Sequence, residues 1–478
     1  MDSASFQFVL YGLAVAILSN LSRRPAWRSS VLFLATIVFL VLLAHSPIVL
    51  LPLAAFLLLG YAGIVLLTHG WIRHMTWSVV AVVFIYIWLK KYTFLPPSIF
   101  LRFPYFTLGL SYIFFRVLHL IIETGSKSEK RLIGIGAFLL YTLNFTTLLS
   151  GPIQRYDEFA RDQFSNEPIS LGPRVVGLQL ERIVRGFFKV NVLAMVLNMV
   201  HDDALEHISQ PLPLSLKLFA AFRLSIVYPF FLYANFSGYI DIVIALARLM
   251  RVRLPENFDR PFAASSFLDF WNRWHITLST WFKTYVYNPL LITLMRRTSS
   301  LALEPYLGVF SFLVTFFLVG IWHGRTSEFV IFGILQGGGV SINKLWQLLL
   351  TRALGRKGYI DLASNPVYFA FARGLTFSWF AFTTFWFWGR WKQIDQIFGA
   401  LGFFQWLSVW LAIWFSATAA LALWEFLRNA LLSFKTSEGP VFTSRYMRVV
   451  FATAMGLAAF VITVLLSQPA PGIVYKAF

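Results

Sequence analysis

Long runs of apolar residues recur along this chain, and they limit its fold more than any other feature. They lie at 6–21, 29–45, 46–68, 75–89, 131–149, 185–200, 218–249, 304–322, 327–350, 367–389, 400–426 and 447–467. A helix needs about 20 residues to cross the hydrocarbon of a bilayer, so these lengths predict roughly a dozen membrane helices, with tilted or re-entrant pieces among them. Lipid offers the backbone no hydrogen-bond partner, which leaves helices and closed barrels as the only spanning structures. Barrel strands alternate apolar with polar residues and these runs do not, so the expected fold class is all-α: a polytopic integral membrane protein.

Composition agrees. Of 478 residues, 58% are hydrophobic and 13% charged, and the mean hydropathy is +0.69, far above an ordinary soluble protein. No Lys or Arg precedes Arg23, so the first run reads as a membrane helix and not as a cleaved signal peptide. Basic residues at 23–28 after that start favour an outside amino terminus. No Gly/Ser/Pro-rich linker and no fixed repeat divides the sequence, which predicts a single membrane domain over 1–478.

The formal charge is +19, from 40 Lys+Arg against 21 Asp+Glu. The bases sit in short clusters between runs: Arg23/Arg24/Arg28, Lys90/Lys91, Lys127/Lys130/Arg131 and Arg296/Arg297. Such clusters suit loops facing anionic lipid. They are not interleaved with aromatics into a groove, so no nucleic-acid partner is expected. Cysteine is absent, which excludes disulfides, thiolate zinc sites and a cysteine-bound acyl intermediate.

Three stretches interrupt the apolar pattern: 151–190, 251–300 and 351–366. The first holds an amphipathic helix pattern with Arg182, Arg185 and Lys189, suited to an interfacial position. In the second, "FLDFWNRWHITLSTWFKTYVYNPL", the spacing predicts one helix face carrying Trp271, Trp274, His275, Leu278, Trp281, Phe282 and Tyr285, with Asn272, Arg273, Thr277 and Lys283 elsewhere. Its tryptophans suggest a membrane-interface position.

Two histidines stand out. His323 ends an apolar run in "GIWHG", and His275 sits in "WNRWH"; each adjoins a tryptophan, in surroundings where a polar ring is costly unless paired or used. Either could be structural. A neutral imidazole can also take a proton from an alcohol attacking an activated acyl carbon, while a second one orients the donor or donates a hydrogen bond to the developing oxyanion. Gly324 leaves room for a substrate chain or ends the helix. In "ANFSGYIDIVIALA", Asn235, Ser237 and Asp241 lie inside an apolar run, and a buried acid there needs a partner, such as an Arg of the 251–273 stretch, or lines a tunnel. "HDDALEH", with His201 and His207, reads as a polar loop and no metal site is expected. Buried Asp and His also fit a secondary transporter, although no pair of matching broken segments divides the chain into halves.

The segments "SGPIQRYDEF", "NFSGYIDIVIALA", "ENFDRPFAASSFLDFWNRWHITLSTWFKTYVYNPL" and "GIWHG", in this order and spacing, resemble the membrane-bound O-acyltransferase family. "LGLSYIFFRVLHLIIE" looks like an early helix of the same family. The resemblance covers about 108–350, leaving 1–107 and 351–478 as additional membrane helices. It is nearest the bacterial branch that acts in teichoic-acid D-alanylation and alginate O-acetylation. After "YNPL" this chain has "LITLMRR" where the alginate type has a glycine-rich element, yet "SGYIDI" looks more like the acetyl branch. Donor and acceptor therefore stay open.

The resemblance implies helices around a central tunnel in the cell inner membrane, with acyl donor arriving from the cytoplasm and the acceptor outside. It implies His323 as the catalytic histidine and His275 as the second. Asn272, Arg273, Trp274 and Trp322, with Asn235, Ser237 and Asp241, would contact substrate. No tightly bound cofactor is implied. The donor would be a thioester on a phosphopantetheinyl carrier protein or coenzyme A, and the acceptor an envelope polymer, with a periplasmic or extracellular partner finishing the transfer. A lipid hydroxyl is the alternative acceptor.

Overall fold

Apolar residues that cannot satisfy their backbone in lipid form helices here, as expected. The computed structural model describes residues 5–44, 46–127, 132–298, 300, 302–436, 439–441, 444–466 and 472; Lys130 and Arg131 of the basic cluster lie outside them. Among the described residues, seven helices are long and apolar enough to cross a membrane: Pro25–Leu43, Pro47–Thr68, Pro173–Ser209, Leu214–Leu249, Glu304–His323, Phe403–Ser433 and Arg445–Thr463. Phe6–Ser19 and Thr76–Leu89 are apolar but shorter. The described residues contain one sheet, a two-stranded antiparallel ladder pairing Lys435 with Pro440. The chain is a multi-span, all-helical membrane protein.

Contacts divide it into two compact units, one from 1–190 with 236–256 and the other from 191–235 with 257–467. In the first, the helix Leu110–Ser126 is buried along most of its length. Its Arg116, 1% exposed, donates to the carbonyls of Thr142 at 2.9 Å and Thr147 at 2.6 Å. This corrects the expected span at 131–149, which holds only the short helix Ile135–Thr142. A guanidinium collects the carbonyls where that helix stops, so the chain turns within the protein. The amphipathic helix Pro173–Phe188 is present. Its Gly186 crosses Gly238 so closely that a Cβ at residue 186 would lie 2.5 Å from the Gly238 carbonyl oxygen.

In the second unit, Glu304–His323 and Glu328–Ser364 pack as a hairpin. A Cβ on Gly320 would fall 2.0 Å from the Gly333 Cα, so two glycines set the approach of the helix that ends in His323. "HDDALEH" belongs to the helix Met195–Ser209 and not to a loop. There His201 meets Asp202 at 3.2 Å and packs edge-on against Trp388, while His207 lies 2.7 Å from the Asp203 carbonyl.

The predicted continuous helix through 267–285 is broken. Phe267–Arg273 stops, Trp274 is extended, His275 is left-handed, and Ile276–Phe282 starts a new helix. Trp274 instead forms an antiparallel bridge with Phe258. Helical spacing alone could not reveal that a strand-like segment upstream captures these amides.

Candidate active site

The break at Trp274–His275 is held from Asn257. The Asp259 N–H donates to the Arg273 carbonyl at 2.9 Å, and the Ile276 N–H donates to the Asn257 carbonyl at 3.0 Å. The Asn257 side-chain oxygen accepts from the Thr277 N–H at 3.0 Å and its hydroxyl at 2.9 Å, and lies 3.3 Å from His275 Nδ1. Pinned this way, His275 adopts φ 45° and ψ 52°, a conformation that costs a non-glycine residue about 1–2 kcal/mol. Among the described residues, three other non-glycine residues have positive φ, and His275 alone of the four is buried. Strain of this kind concentrates at functional sites. Burial holds the His275 pKa well below the ordinary histidine range, and charge on His323 acts in the same direction, so the ring is neutral.

His323 is the last residue of Glu304–His323 and is 1% exposed. Its ring lies 4.7 Å from Trp322, 5.4 Å from Phe387 and 5.9 Å from Phe332, between centroids. Trp322 also packs 6.5 Å from the His275 ring, so one indole adjoins both imidazoles. The Gly324 gap expected to admit a substrate chain is filled from within: a Cβ there would meet the Phe329 ring at 2.0 Å. Two buried imidazoles beside a shared indole can accept a proton out of contact with bulk water.

The other expected residues separate. Trp274, 1% exposed, stacks on Phe270 and packs against Phe380. With Trp271 and Trp281 also buried, these tryptophans form core, not an interface belt. Asn272 is exposed on its short helix. Arg273 pairs with Asp269 at 2.9 Å and Asp259 at 3.6 Å. Asn235 is fully buried.

Ser237 and Asp241 belong to the first unit. Asp241 accepts from Arg182 at 2.9 Å, Arg185 at 3.2 Å and Lys189 at 2.9 Å, and Lys189 also donates to Ser237 at 3.2 Å. Arg182 grips Glu256 with two bonds of 2.6 Å. The partners of the buried acid thus come from the amphipathic helix and the residue after it, correcting the expectation of an Arg from 251–273. The Gly186–Gly238 approach brings that helix within reach.

Sequence reasoning passed over Asn257, although it stands in the quoted "ENFDRPF"; an Asn there carries no periodic signal. It grouped Thr277 away from His275, whereas Thr277 shares the same carbonyl oxygen. It also missed His119, 4% exposed, whose Nε2 accepts the Tyr156 N–H at 3.2 Å. That ring lines a cavity of about 530 Å³ with Glu123, Lys127 and Asp157.

The sequence profile of the membrane-bound O-acyltransferase family matches residues 68–372. A teichoic acid D-alanyltransferase of Streptococcus thermophilus is 32% identical over 241 residues, 50% of this chain and 57% of that protein. A probable alginate O-acetylase of Pseudomonas fluorescens is 32% identical over 240 residues, 50% of this chain and 44% of that one. A peptidoglycan O-acetyltransferase of Helicobacter pylori is 32% identical over 210 residues, 44% and 37%. The chain spans about half the length of the curated relatives it matches.

Proposed function

Because the chain belongs to the membrane-bound O-acyltransferase family, we propose that it moves a short acyl group, acetyl or D-alanyl, from a thioester onto a hydroxyl of a cell-envelope polysaccharide or teichoic-like polymer. The observation that carries this reading is the pair of buried imidazoles, His323 and His275, packed against one indole. His323 acts as the base. The acceptor oxygen attacks the acyl carbon while His323 takes the hydroxyl proton, the C–S bond breaks, and the proton passes to the departing sulfur. Ester and free thiol are the products. His275 acts beside it on the substrate, and Trp322 walls the space between.

The donor is a thioester of a phosphopantetheinyl carrier protein or of coenzyme A, supplied on the cytoplasmic face of the inner membrane. Both donors are anionic, and a chain of net charge +19 favours their approach. The relatives' names speak for polymer acceptors over lipid, and an extracytoplasmic partner protein completes delivery to the polymer. The test uses the purified full chain in nanodiscs with labelled acetyl-CoA, or labelled D-alanyl carrier protein, and envelope polymer. Label should reach the polymer with wild type and not with His323→Ala. Equal transfer by that variant would sink the base assignment, and solute flux with no acyl transfer would replace the reading with a transporter.

A further inference from the structure

Asn257 is fully buried. Its side-chain oxygen faces the Thr277 N–H at 3.0 Å. A backbone N–H can only donate, so the atom opposite must be the amide's oxygen, which fixes the orientation of the Asn257 side chain. The same oxygen lies 3.3 Å from His275 Nδ1. An amide oxygen carries no hydrogen, so the hydrogen in that contact belongs to the ring. A neutral imidazole has one N–H; with it on Nδ1, Nε2 is an acceptor.

We propose that Asn257 is the positioning residue of His275: it holds the imidazole as the Nδ1–H tautomer, so that His275 takes part in acyl transfer as a hydrogen-bond acceptor and not as a donor to the oxyanion. This rests on the acyl-transfer reading for its role in the reaction, while the tautomer itself rests on geometry alone. Three consecutive residues are fixed by this one asparagine, His275 and Thr277 through its side chain and Ile276 through its backbone carbonyl. The left-handed turn and the ring tautomer are therefore set together. The Nδ2 group of the same side chain is buried and makes no hydrogen bond among the described residues. The consequence is a division of labour: both histidines face substrate hydrogens, and the oxyanion is stabilised by other donors.

Nitrogen-15 NMR of histidine-labelled full chain in nanodiscs, with the His275 resonances assigned by their loss in His275→Gln, reads the tautomer directly. Wild type should give a protonated Nδ1 and an unprotonated Nε2 at neutral pH. A proton on Nε2 overturns the proposal, whether or not any transfer is detected; absence of transfer with every donor would instead strike the acyl-transfer reading and leave the tautomer standing. In kinetics, Asn257→Leu should lower kcat about 10- to 100-fold, as loss of an orienting partner does, and shift the ring toward the Nε2–H form. Asn257→Asp keeps an acceptor oxygen and should recover much of the rate with the Nδ1–H form retained. Equal rates in wild type and Asn257→Leu, or equal losses in the Leu and Asp variants with the tautomer unmoved, would overturn the positioning role. If Asn257→Leu does not fold, the wild-type spectrum still decides.

Discussion

The two units bury polar side chains in opposite ways. Around Asp241, in the first unit, charge is met with charge: one carboxylate, 8% exposed, accepts from three cations, and Arg182 extends the network to Glu256. Around His323 and His275, in the second, aromatic rings enclose groups that can be neutral, and an uncharged asparagine orders His275. A buried carboxylate with that many partners is stabilised as an anion and has little left to offer a substrate. A neutral imidazole enclosed by Trp322, Phe332 and Phe387 lies in a medium where proton transfer is not short-circuited by water. The difference separates a cluster that holds helices together from a pair suited to chemistry, and substitutions in each should read out differently.

The largest effect is expected at His323. His323→Gln keeps a polar group of similar reach but removes the base, so transfer should fall about 100- to 10,000-fold. Thermal unfolding in detergent should stay near wild type. A variant equally slow and grossly unstable would place His323 among the structural residues, on the same footing as Asp241.

Asp241→Asn should do the reverse. Removing the acid of a buried ion cluster takes from Lys189 the anion it pairs with, a loss of about 3 kcal/mol by analogy with broken buried pairs; Arg182 keeps Glu256, and Arg185 is half-exposed and recovers hydration. The midpoint of thermal or denaturant unfolding should drop, while the rate per folded molecule changes little. Lost transfer at unchanged stability would move Asp241 to the substrate wall.

Gly320→Ala tests how the second unit presents His323. The new methyl would sit 2.0 Å from the Gly333 Cα, and backbone has to shift; overpacking of this kind costs about 1–3 kcal/mol. Because His323 lies three residues on, on the same helix, both stability and transfer should fall together. Stability loss alone would mean that the imidazole tolerates a displaced helix.

How far these regions were legible from sequence follows from the same physics. Apolar runs are a direct record of burial in lipid, so the seven described helices that are long and apolar enough to cross a membrane fall on predicted runs, against the dozen expected, and an ionisable residue in or at the end of such a run, Asp241 or His323, announces itself by its cost. The span at 131–149 failed because its terminus depends on Arg116, distant in sequence, collecting carbonyls. The 267–285 segment failed because periodicity assumes one backbone state; a bridge from Phe258 and the amide of Asn257 impose another at Trp274 and His275. Glycine spacing could not say whether Gly324 opened a space or accommodated Phe329. In each case the missing information is a contact between residues far apart along the chain, where one sequence carries no register.

The smallest expected effect belongs to Asn272, and it bears on how far the motif "WNRWH" can be taken as a list of site residues. Helical spacing already set Asn272 apart from the His275 face, and the resemblance assigned it to substrate. The structure puts it on the exposed side of Phe267–Arg273, ahead of the break that re-aims everything from Trp274 onward. Exposed positions away from caps and ion pairs usually move stability by less than about 0.5 kcal/mol, and a side chain pointing away from the buried rings has no lone pair or proton to give them. Asn272→Ala should therefore leave both the unfolding midpoint and the transfer rate within about twofold of wild type, while His275→Gln, three residues along, abolishes most of the rate. A tenfold loss in Asn272→Ala with normal stability would return Asn272 to the substrate path, and would mean that acyl donor or acceptor reaches His275 over the exposed edge of this helix.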